Sequence, residues 1–191
     1  MRVAEPESRR WTLGEYYRLA EQGWFQGQRV QLIRGEIIQM PAQGHAHATA
    51  ILRTERVLRP LFQKGYCLRV QMPLNVGMDT DPEPDIAVVP GTVEDYSDHP
   101  TSAVMVIEIS DTTLRLDRRK AGLYASAGIP EYWIVNLKEQ TAEVHRGPEV
   151  DLAQEFGHCY ATVRTLLIGE TVSPLAAPTA IIAVADLLPR I

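Results

Sequence analysis

The spacing of apolar positions changes repeatedly along the chain, and each spacing predicts a type of element. Apolar residues three or four apart, typical of amphipathic helices, occur over residues 11–22, 48–61 and 117–127. Short apolar or alternating runs, typical of strands, occur over 29–40, 66–76, 86–89, 103–110, 131–136, 142–146 and 160–167, and a short closing element is expected at 184–188. This order predicts a mixed α/β (α+β) architecture, in which helices flank a central mixed β-sheet and additional β-hairpins are attached.

Three local patterns sharpen this prediction. Thr12 and Glu15 have the spacing of a capping box, which predicts that the first helix begins after Thr12. The uninterrupted apolar run 103–107 is typical of a central strand buried on both faces. Tyr132 and Trp133 are adjacent on a predicted strand, so they should face opposite sides of the sheet and pack in the core rather than form a joint stacking platform.

Composition agrees with an ordinary globular protein. The chain has 191 residues, of which 45% are hydrophobic and 23% are charged, and this predicts a single domain over 1–191 with a loosely ordered segment at 1–10. No apolar run is long enough for a membrane helix, and the charged segment 1–10 has no apolar stretch of a secretory signal after it. Cys67 and Cys159 belong to no C-x-x-C pair, which favours a reducing compartment and a cytoplasmic location.

Several familiar functions lack their motifs. The chain contains no H-E-x-x-H, G-x-S-x-G, P-loop or G-x-G-x-x-G sequence, so zinc protease, serine hydrolase, kinase and dinucleotide-binding activities have no support. The net charge of −5 argues against nucleic-acid binding through a polybasic arm. It leaves open a protein that meets nucleic acid at one local site through a metal ion.

Two carboxylates stand at the ends of apolar strands. Glu108 follows five consecutive apolar residues, where a carboxylate is costly to bury unless it is paired or bound to a metal. Asp85 begins a second short apolar strand. If these strands are adjacent, both side chains can reach one point at the same sheet edge and form a hard oxygen site for Mg²⁺ or Mn²⁺. A strand end that emerges into solvent, or a pairing with an arginine, would also account for Glu108.

Lys120 is notable because lysine is scarce. Only Lys64, Lys120 and Lys138 are lysines, whereas the other 16 of the 19 basic residues are arginines. A compact ammonium group in such a chain is a candidate for a specific chemical role, although a solvated helix lysine fits the same count. Arg118 and Arg119 beside it are candidates for contact with phosphate or solvent.

Segments 106–111 and 117–136 closely resemble the Uma-type restriction endonuclease family, which is part of the PD-(D/E)xK nuclease superfamily. The resemblance extends to Pro84-Asp85, to 44–48 and to 32–36, and it covers about 11–188. It implies a restriction-endonuclease-like fold and metal-dependent cleavage of DNA. By this resemblance Asp85 and Glu108 are metal ligands, and the backbone carbonyl of Ile109 completes the protein ligands.

The resemblance also implies a role for the lysine. In the superfamily a lysine normally lies two residues after the second acidic ligand, which here is Glu108, but this chain has Ser110 at that position. The resemblance implies that the lysine lies instead on the following helix, where Lys120 matches it. Glu36 and His47 match further polar positions near the family's site. Two departures concern Gln31, where the family commonly has Glu, and the spacing from Asp117 to Lys120, which is one residue shorter than usual.

The resulting hypothesis is a Mg²⁺- or Mn²⁺-dependent endonuclease that hydrolyses DNA phosphodiester bonds with Asp85, Glu108 and Lys120 as catalytic residues. A catalytically weak nucleic-acid-binding or assembly protein on the same fold is one alternative. A metal-dependent hydrolase of small phosphoesters, which would need an enclosed pocket, is another. Cutting both DNA strands with one site per chain would require a homodimer or a higher homo-oligomer.

Overall fold

The structure is a computed structural model that describes residues 8–190, and the helices and strands below are those of these residues. The helices are α1 (Leu13–Glu21), α2 (His45–Leu58), α3 (Leu114–Ser126) and α4 (Val184–Leu187). The strands are β1 (Val30–Ile33), β2 (Glu36–Gln39), β3 (Tyr66–Val70), β4 (Ile86–Pro90), β5 (Met105–Ser110), β6 (Glu131–Asn136), β7 (Thr141–Val150), β8 (His158–Leu167), β9 (Thr171–Val172) and β10 (Ile182–Ala183).

Six of these strands form one mixed sheet in the order β3-β4-β5-β6-β7-β8. The strands pair antiparallel, except that β5 and β6 are parallel. A parallel pair needs a crossover connection, and α3 supplies it between β5 and β6. Two further pairs, β1 with β2 and β9 with β10, are antiparallel and separate from this sheet. The expected central mixed sheet, flanking helices and additional hairpins are therefore present.

The central strands of the sheet are buried on both faces. One apolar cluster joins α2 and α4 to one face, and a second joins α3 to the other. All six residues of β5 are buried, as the apolar run 103–107 predicts. Tyr132 and Trp133 are both completely buried, and they belong to opposite clusters. The prediction that they pack on different faces of the sheet is confirmed.

Local signals placed some boundaries well and others less well. The capping box of Thr12 and Glu15 is formed at the start of α1. The turn between β1 and β2 needs Gly35, whose φ is +73° and whose added Cβ would lie 2.9 Å from the backbone nitrogen of Trp11. By contrast, α3 begins at Leu114, three residues before the predicted start. The strand predicted over 66–76 ends at Val70, because the next residue, Gln71, has a φ of +52°.

The prediction of a loosely ordered segment at 1–10 falls largely on residues 1–7, which lie outside the described residues. Within the described part, Arg9 forms an ion pair with Glu15, and Arg10 forms one with Glu36. In residues 8–190, no helix combines the length and the apolar character that crossing a membrane requires.

Candidate active site

The two predicted carboxylates meet at one edge of the sheet. Asp85 immediately precedes β4, and the antiparallel register of Ile86 with Ile107 places it opposite Glu108 of β5. The backbone nitrogen of Asp85 is 3.4 Å from Oε2 of Glu108. Both side chains are buried, with 6% and 3% of their surface exposed. Glu108 therefore does not emerge into solvent, and it pairs with no arginine among residues 8–190.

Asp85 is held by donors from three directions. Its Oδ2 accepts a hydrogen bond of 2.8 Å from the backbone nitrogen of Ile109 and lies 3.2 Å from Nε2 of His47. Its Oδ1 accepts a hydrogen bond of 3.1 Å from the side-chain amide of Gln71. These contacts fix the carboxylate in one orientation, because both of its oxygens are occupied by at least one donor.

Glu108 is held by one face of α3. Its Oε1 accepts hydrogen bonds of 2.9 Å from Nζ of Lys120 and 2.8 Å from the hydroxyl of Tyr124. Lys120 and Tyr124 are four residues apart, so they project from the same side of the helix. Lys120 is only 1% exposed, so it is not a solvated lysine on the helix surface.

Asp117 is a further acidic residue of this site, and its role was not predicted from the sequence. It lies one helical turn before Lys120, is 2% exposed and accepts a hydrogen bond of 2.7 Å from the hydroxyl of Thr113. The signal that could have found it is the i,i+3 spacing to Lys120, which places both side chains on one face of α3. Three buried carboxylates, Asp85, Glu108 and Asp117, thus surround one buried ammonium group.

This excess of negative charge shifts the titration of the site. Burial, together with the charges of Asp85 and Asp117, raises the pKa of Glu108 to about 7, although Lys120 opposes the shift. Burial alone would lower the pKa of Lys120, but the charges of Glu108 and Asp117 outweigh it and raise that pKa above its usual value. The pKa of Asp117 is also raised, mainly by burial. The cluster therefore favours any added positive charge.

A cavity of about 50 Å³ lies beside the carboxylates. Its walls include the side chains of His47, Asp85, Glu108 and Asp117 and the residue Gly44, the N-cap of α2. The desolvation of His47 would lower the pKa of its imidazole, but the hydrogen bond with Asp85 and the charges of Asp85 and Glu108 together outweigh it and raise that pKa. The volume is large enough for an ion or a few water molecules and far too small for a nucleotide.

Gln31 also lines the cavity. It is 2% exposed and donates a hydrogen bond of 3.2 Å from its side-chain amide to the carbonyl of Glu83, while its Oε1 has no partner in the described structure. Gln31 therefore presents a neutral amide at the wall of the site.

The other residues predicted for the site lie away from the carboxylates. Glu36 is exposed at the surface, where it contacts Arg10 at 2.5 Å and Arg119 at 3.9 Å, and it does not line the cavity. Arg118 forms an ion pair of 2.5 Å with Glu143, and Arg119 forms one of 2.5 Å with Glu155. The structure thus brings together Asp85, Glu108, Ile109, Lys120 and His47, but not Glu36.

The donor set is chemically suited to a hard divalent cation. Within residues 8–190, no three His, Cys, Asp or Glu side chains are arranged as a complete metal-ligand set. The carboxylates that line the cavity include those of Asp85 and Glu108, the backbone of Ile109 also lines it, and Mg²⁺ commonly completes a shell of a few protein oxygens with water. The excess of negative charge around Lys120 fits a cation as well.

Comparisons with known proteins agree with this fold. The model of the family Uma2, described as "Putative restriction endonuclease", matches residues 13–185. A crystal structure from Anabaena variabilis, described as a putative nuclease belonging to DUF820, superposes with a TM-score of 0.69 at 19% sequence identity, and the match covers 92% of this chain and 96% of that one. None of the curated proteins matches this chain. Because the family model spans most of its length, the chain belongs to the Uma2 family of restriction-endonuclease-like proteins.

Proposed function

We propose that the protein is a Mg²⁺- or Mn²⁺-dependent endonuclease that hydrolyses phosphodiester bonds in DNA. The observation that carries the proposal is the convergence of Asp85, Glu108 and Lys120 in one buried cluster beside a small cavity. Burying three carboxylates with one lysine is unfavourable for folding, so a chemical role accounts for their arrangement better than stability does.

The carboxylates of Asp85 and Glu108, with the carbonyl of Ile109, are the groups that would hold the metal ion. A bound divalent ion would supply a water molecule of lowered pKa and neutralise charge on the phosphate. On the chain itself, Oδ2 of Asp85 has two donors and Oε1 of Glu108 has two donors. One lone pair on Asp85 Oδ1 and one on Glu108 Oε2 are left for the cation.

The remaining side chains would orient these groups. Lys120 fixes Glu108 through its hydrogen bond of 2.9 Å, and in this proposal its ammonium group also donates to a phosphate oxygen or to the attacking water once the substrate is bound. Gln71 and His47 hold Asp85 in its observed rotamer. Lys120, Gln71 and His47 thus preorganise the site. They hold the carboxylates in place before the reaction begins, so no free energy is spent on arranging them during it.

The size of the cavity bears on the alternative substrate. A hydrolase of small phosphoesters needs a pocket that encloses most of its substrate, typically about 300–1,000 Å³. The cavity beside Asp85 has about 50 Å³, so only a reacting phosphate would enter it and the rest of the substrate would lie outside. This supports a polymer substrate over a small one.

The proposal also includes a cytoplasmic location, which is consistent with the free thiols of Cys67 and Cys159. It further includes cleavage of both strands by a homodimer.

The proposal is tested with a panel of single-stranded, duplex and branched DNA in Mg²⁺ and in Mn²⁺. We expect the wild-type protein to cleave at least one substrate, and Asp85→Asn to reduce the rate by at least about 100-fold because one carboxylate ligand is lost. The matched control is Glu21→Gln at an exposed acid of α1, which should cleave normally.

Circular dichroism and thermal unfolding would show that both variants are folded. Normal cleavage by folded Asp85→Asn would refute the assignment. A wild-type protein that binds DNA but cleaves none of the panel in either metal would favour the alternative of a catalytically weak binding protein.

A further inference from the structure

The cavity of the site continues into a groove on the surface of α3. A groove of about 590 Å³ is lined by Thr112, Thr113, Arg115, Arg119 and Glu155, and the first two of these residues also line the cavity beside Asp85. We call it the arginine groove. It leads into a further depression of about 420 Å³, with which it shares Arg115, Arg119 and Glu155. The cavity, the arginine groove and the depression therefore adjoin one another along one side of the helix.

The charge of the arginine groove is opposite to that of the whole chain. Four guanidinium groups lie in or beside it, whereas the carboxylates nearby are those of three glutamates, and the chain has a net charge of −5. The arginines are Arg34, Arg115, Arg118 and Arg119, and the glutamates are Glu36, Glu143 and Glu155. A positive groove beside an acidic site is suited to a substrate that carries many negative charges.

The arginines of the groove differ in how they are held. Arg119 forms an ion pair of 2.5 Å with Glu155. Its guanidinium lies 5.7 Å from the ring of Phe156, and the guanidinium of Arg34 lies 4.5 Å from the same ring. An exposed ion pair such as Arg119–Glu155 contributes little free energy, so a phosphate can replace the glutamate at small cost. Arg115 is exposed and has no hydrogen bond or ion pair with any side chain of residues 8–190. It is thus available to a ligand.

Two further features of α3 favour an anion in this groove. Arg115 and Arg119 are one helical turn apart, about 6 Å along the axis, which is the order of the spacing between successive phosphates of a strand. The groove runs beside the amino-terminal half of α3, where Thr113 makes no side-chain capping bond. The positive end of the helix dipole therefore adds to the field of the arginines.

We propose that the arginine groove binds the sugar-phosphate backbone of the DNA strand on one side of the cleaved bond. Arg115 and Arg119 contact successive phosphates there, while the phosphate to be cleaved enters the cavity beside Asp85. This inference rests on the nuclease function proposed above, and it extends that function to the path of the substrate.

The test measures the binding of a short fluorescent DNA strand, and of its duplex, to the full chain by anisotropy in Ca²⁺ over a range of NaCl concentrations. Arg115→Ala should weaken binding about 5- to 10-fold and lower the slope of log Kd against log[NaCl] by about 0.7–0.9, because one phosphate contact is lost. Arg115→Glu should weaken it further. The matched controls are Arg18→Ala and Arg18→Glu at an exposed position of α1, and they should bind like the wild type.

Cleavage assays give a second readout. Arg115→Ala should raise KM and leave kcat close to that of the wild type, because the residue binds the strand and does not touch the reacting phosphate. If the wild type binds and cleaves DNA while the Arg115 and Arg18 variants behave alike, the arginine groove is not the path of the strand and the nuclease function stands. If the wild type neither binds nor cleaves any DNA, the nuclease function itself fails and this inference fails with it.

Discussion

Gln71 holds Asp85 from a backbone conformation that glutamine rarely adopts. Its φ is +52°, in the left-handed region, which costs a residue with a side chain about 1–2 kcal/mol. In this conformation its backbone nitrogen donates to the carbonyl of Asp85 and its side-chain amide donates to Oδ1 of the same residue, both at 3.1 Å. The strained residue thus orients a proposed metal ligand.

Replacing Gln71 by glycine separates these two effects. Gln71→Gly relieves the backbone cost but removes the hydrogen bond to Asp85, so we expect stability within about 1 kcal/mol of the wild type and a higher Mg²⁺ concentration for half-maximal cleavage. Gln140 has a φ of +55° and donates from its side chain to Leu137, far from the proposed ligands in sequence, so Gln140→Gly is the matched control. Equal Mg²⁺ requirements for the two variants would show that Gln71 has only a structural role.

At the scale of elements, α3 connects the candidate site to the far part of the sheet. Lys120 on this helix reaches Glu108 of β5, and Arg118 reaches Glu143 of β7. Gly122 allows close packing, since an added Cβ would lie 3.2 Å from the carbonyl oxygen of His158. A displacement of α3 would therefore move Lys120 as well, which links the packing of the helix to the geometry of the site.

The ion pair between Glu143 and Arg118 predicts how the stability of the protein depends on pH. The neighbouring imidazole of His145, at 3.5 Å, and the guanidinium of Arg118 lower the pKa of Glu143 from its ordinary 4.5 to about 2. Because the folded pKa is the lower one, this stabilisation is complete above about pH 4.5 and is lost as the pH falls toward 2. Glu143→Gln should lower the free energy of unfolding by about 1–3 kcal/mol at pH 7, and less at pH 3.

Urea unfolding at a series of pH values measures this dependence. Glu139→Gln, at an exposed position in the turn before β7, is the matched control and should follow the wild type at every pH. A difference between Glu143→Gln and the wild type that stays constant from pH 7 to pH 3 would contradict the shifted pKa.

At the scale of the whole molecule, the sequence predicted the helices and strands better than the contacts between them. Apolar spacing found the strands of the main sheet, and the carboxylates at strand ends identified Asp85 and Glu108, because burial imposes a strong pattern on a sequence. The contacts of Gln71 could not be predicted, since they depend on the register of β3 with β4. The spacing of Asp117 from Lys120 indicates that both lie on one face of α3, but the rotation of the helix that buries this face could not be predicted. Glu36 matched the family pattern, yet the turn between β1 and β2 leaves it at the surface.

The charges of the site also affect the stability of the whole molecule. Burial beside Asp85 and Asp117 raises the pKa of Glu108 from its ordinary 4.5 to about 7, so ionisation of Glu108 lowers the free energy of unfolding as the pH rises from about 4.5, and the loss is complete above about pH 7. Lys120 is the ammonium group that offsets these carboxylates. The two members of this ion pair are therefore not equivalent, and replacing each one should change stability in opposite directions.

Glu108→Gln and Lys120→Met test this asymmetry at pH 8. Glu108→Gln should abolish cleavage but raise the free energy of unfolding by about 1 kcal/mol, because it removes the repulsion among the carboxylates. This gain should vanish near pH 5, where Glu108 in the wild type is protonated.

Lys120→Met should lower the free energy of unfolding by about 3–5 kcal/mol, because it leaves buried carboxylates without their cation. Lys138→Met, at an exposed lysine, is the control and should leave stability unchanged. Equal losses for Glu108→Gln and Lys120→Met would mean that the pair stabilises the fold as a simple salt bridge and that the site is not maintained at the expense of stability.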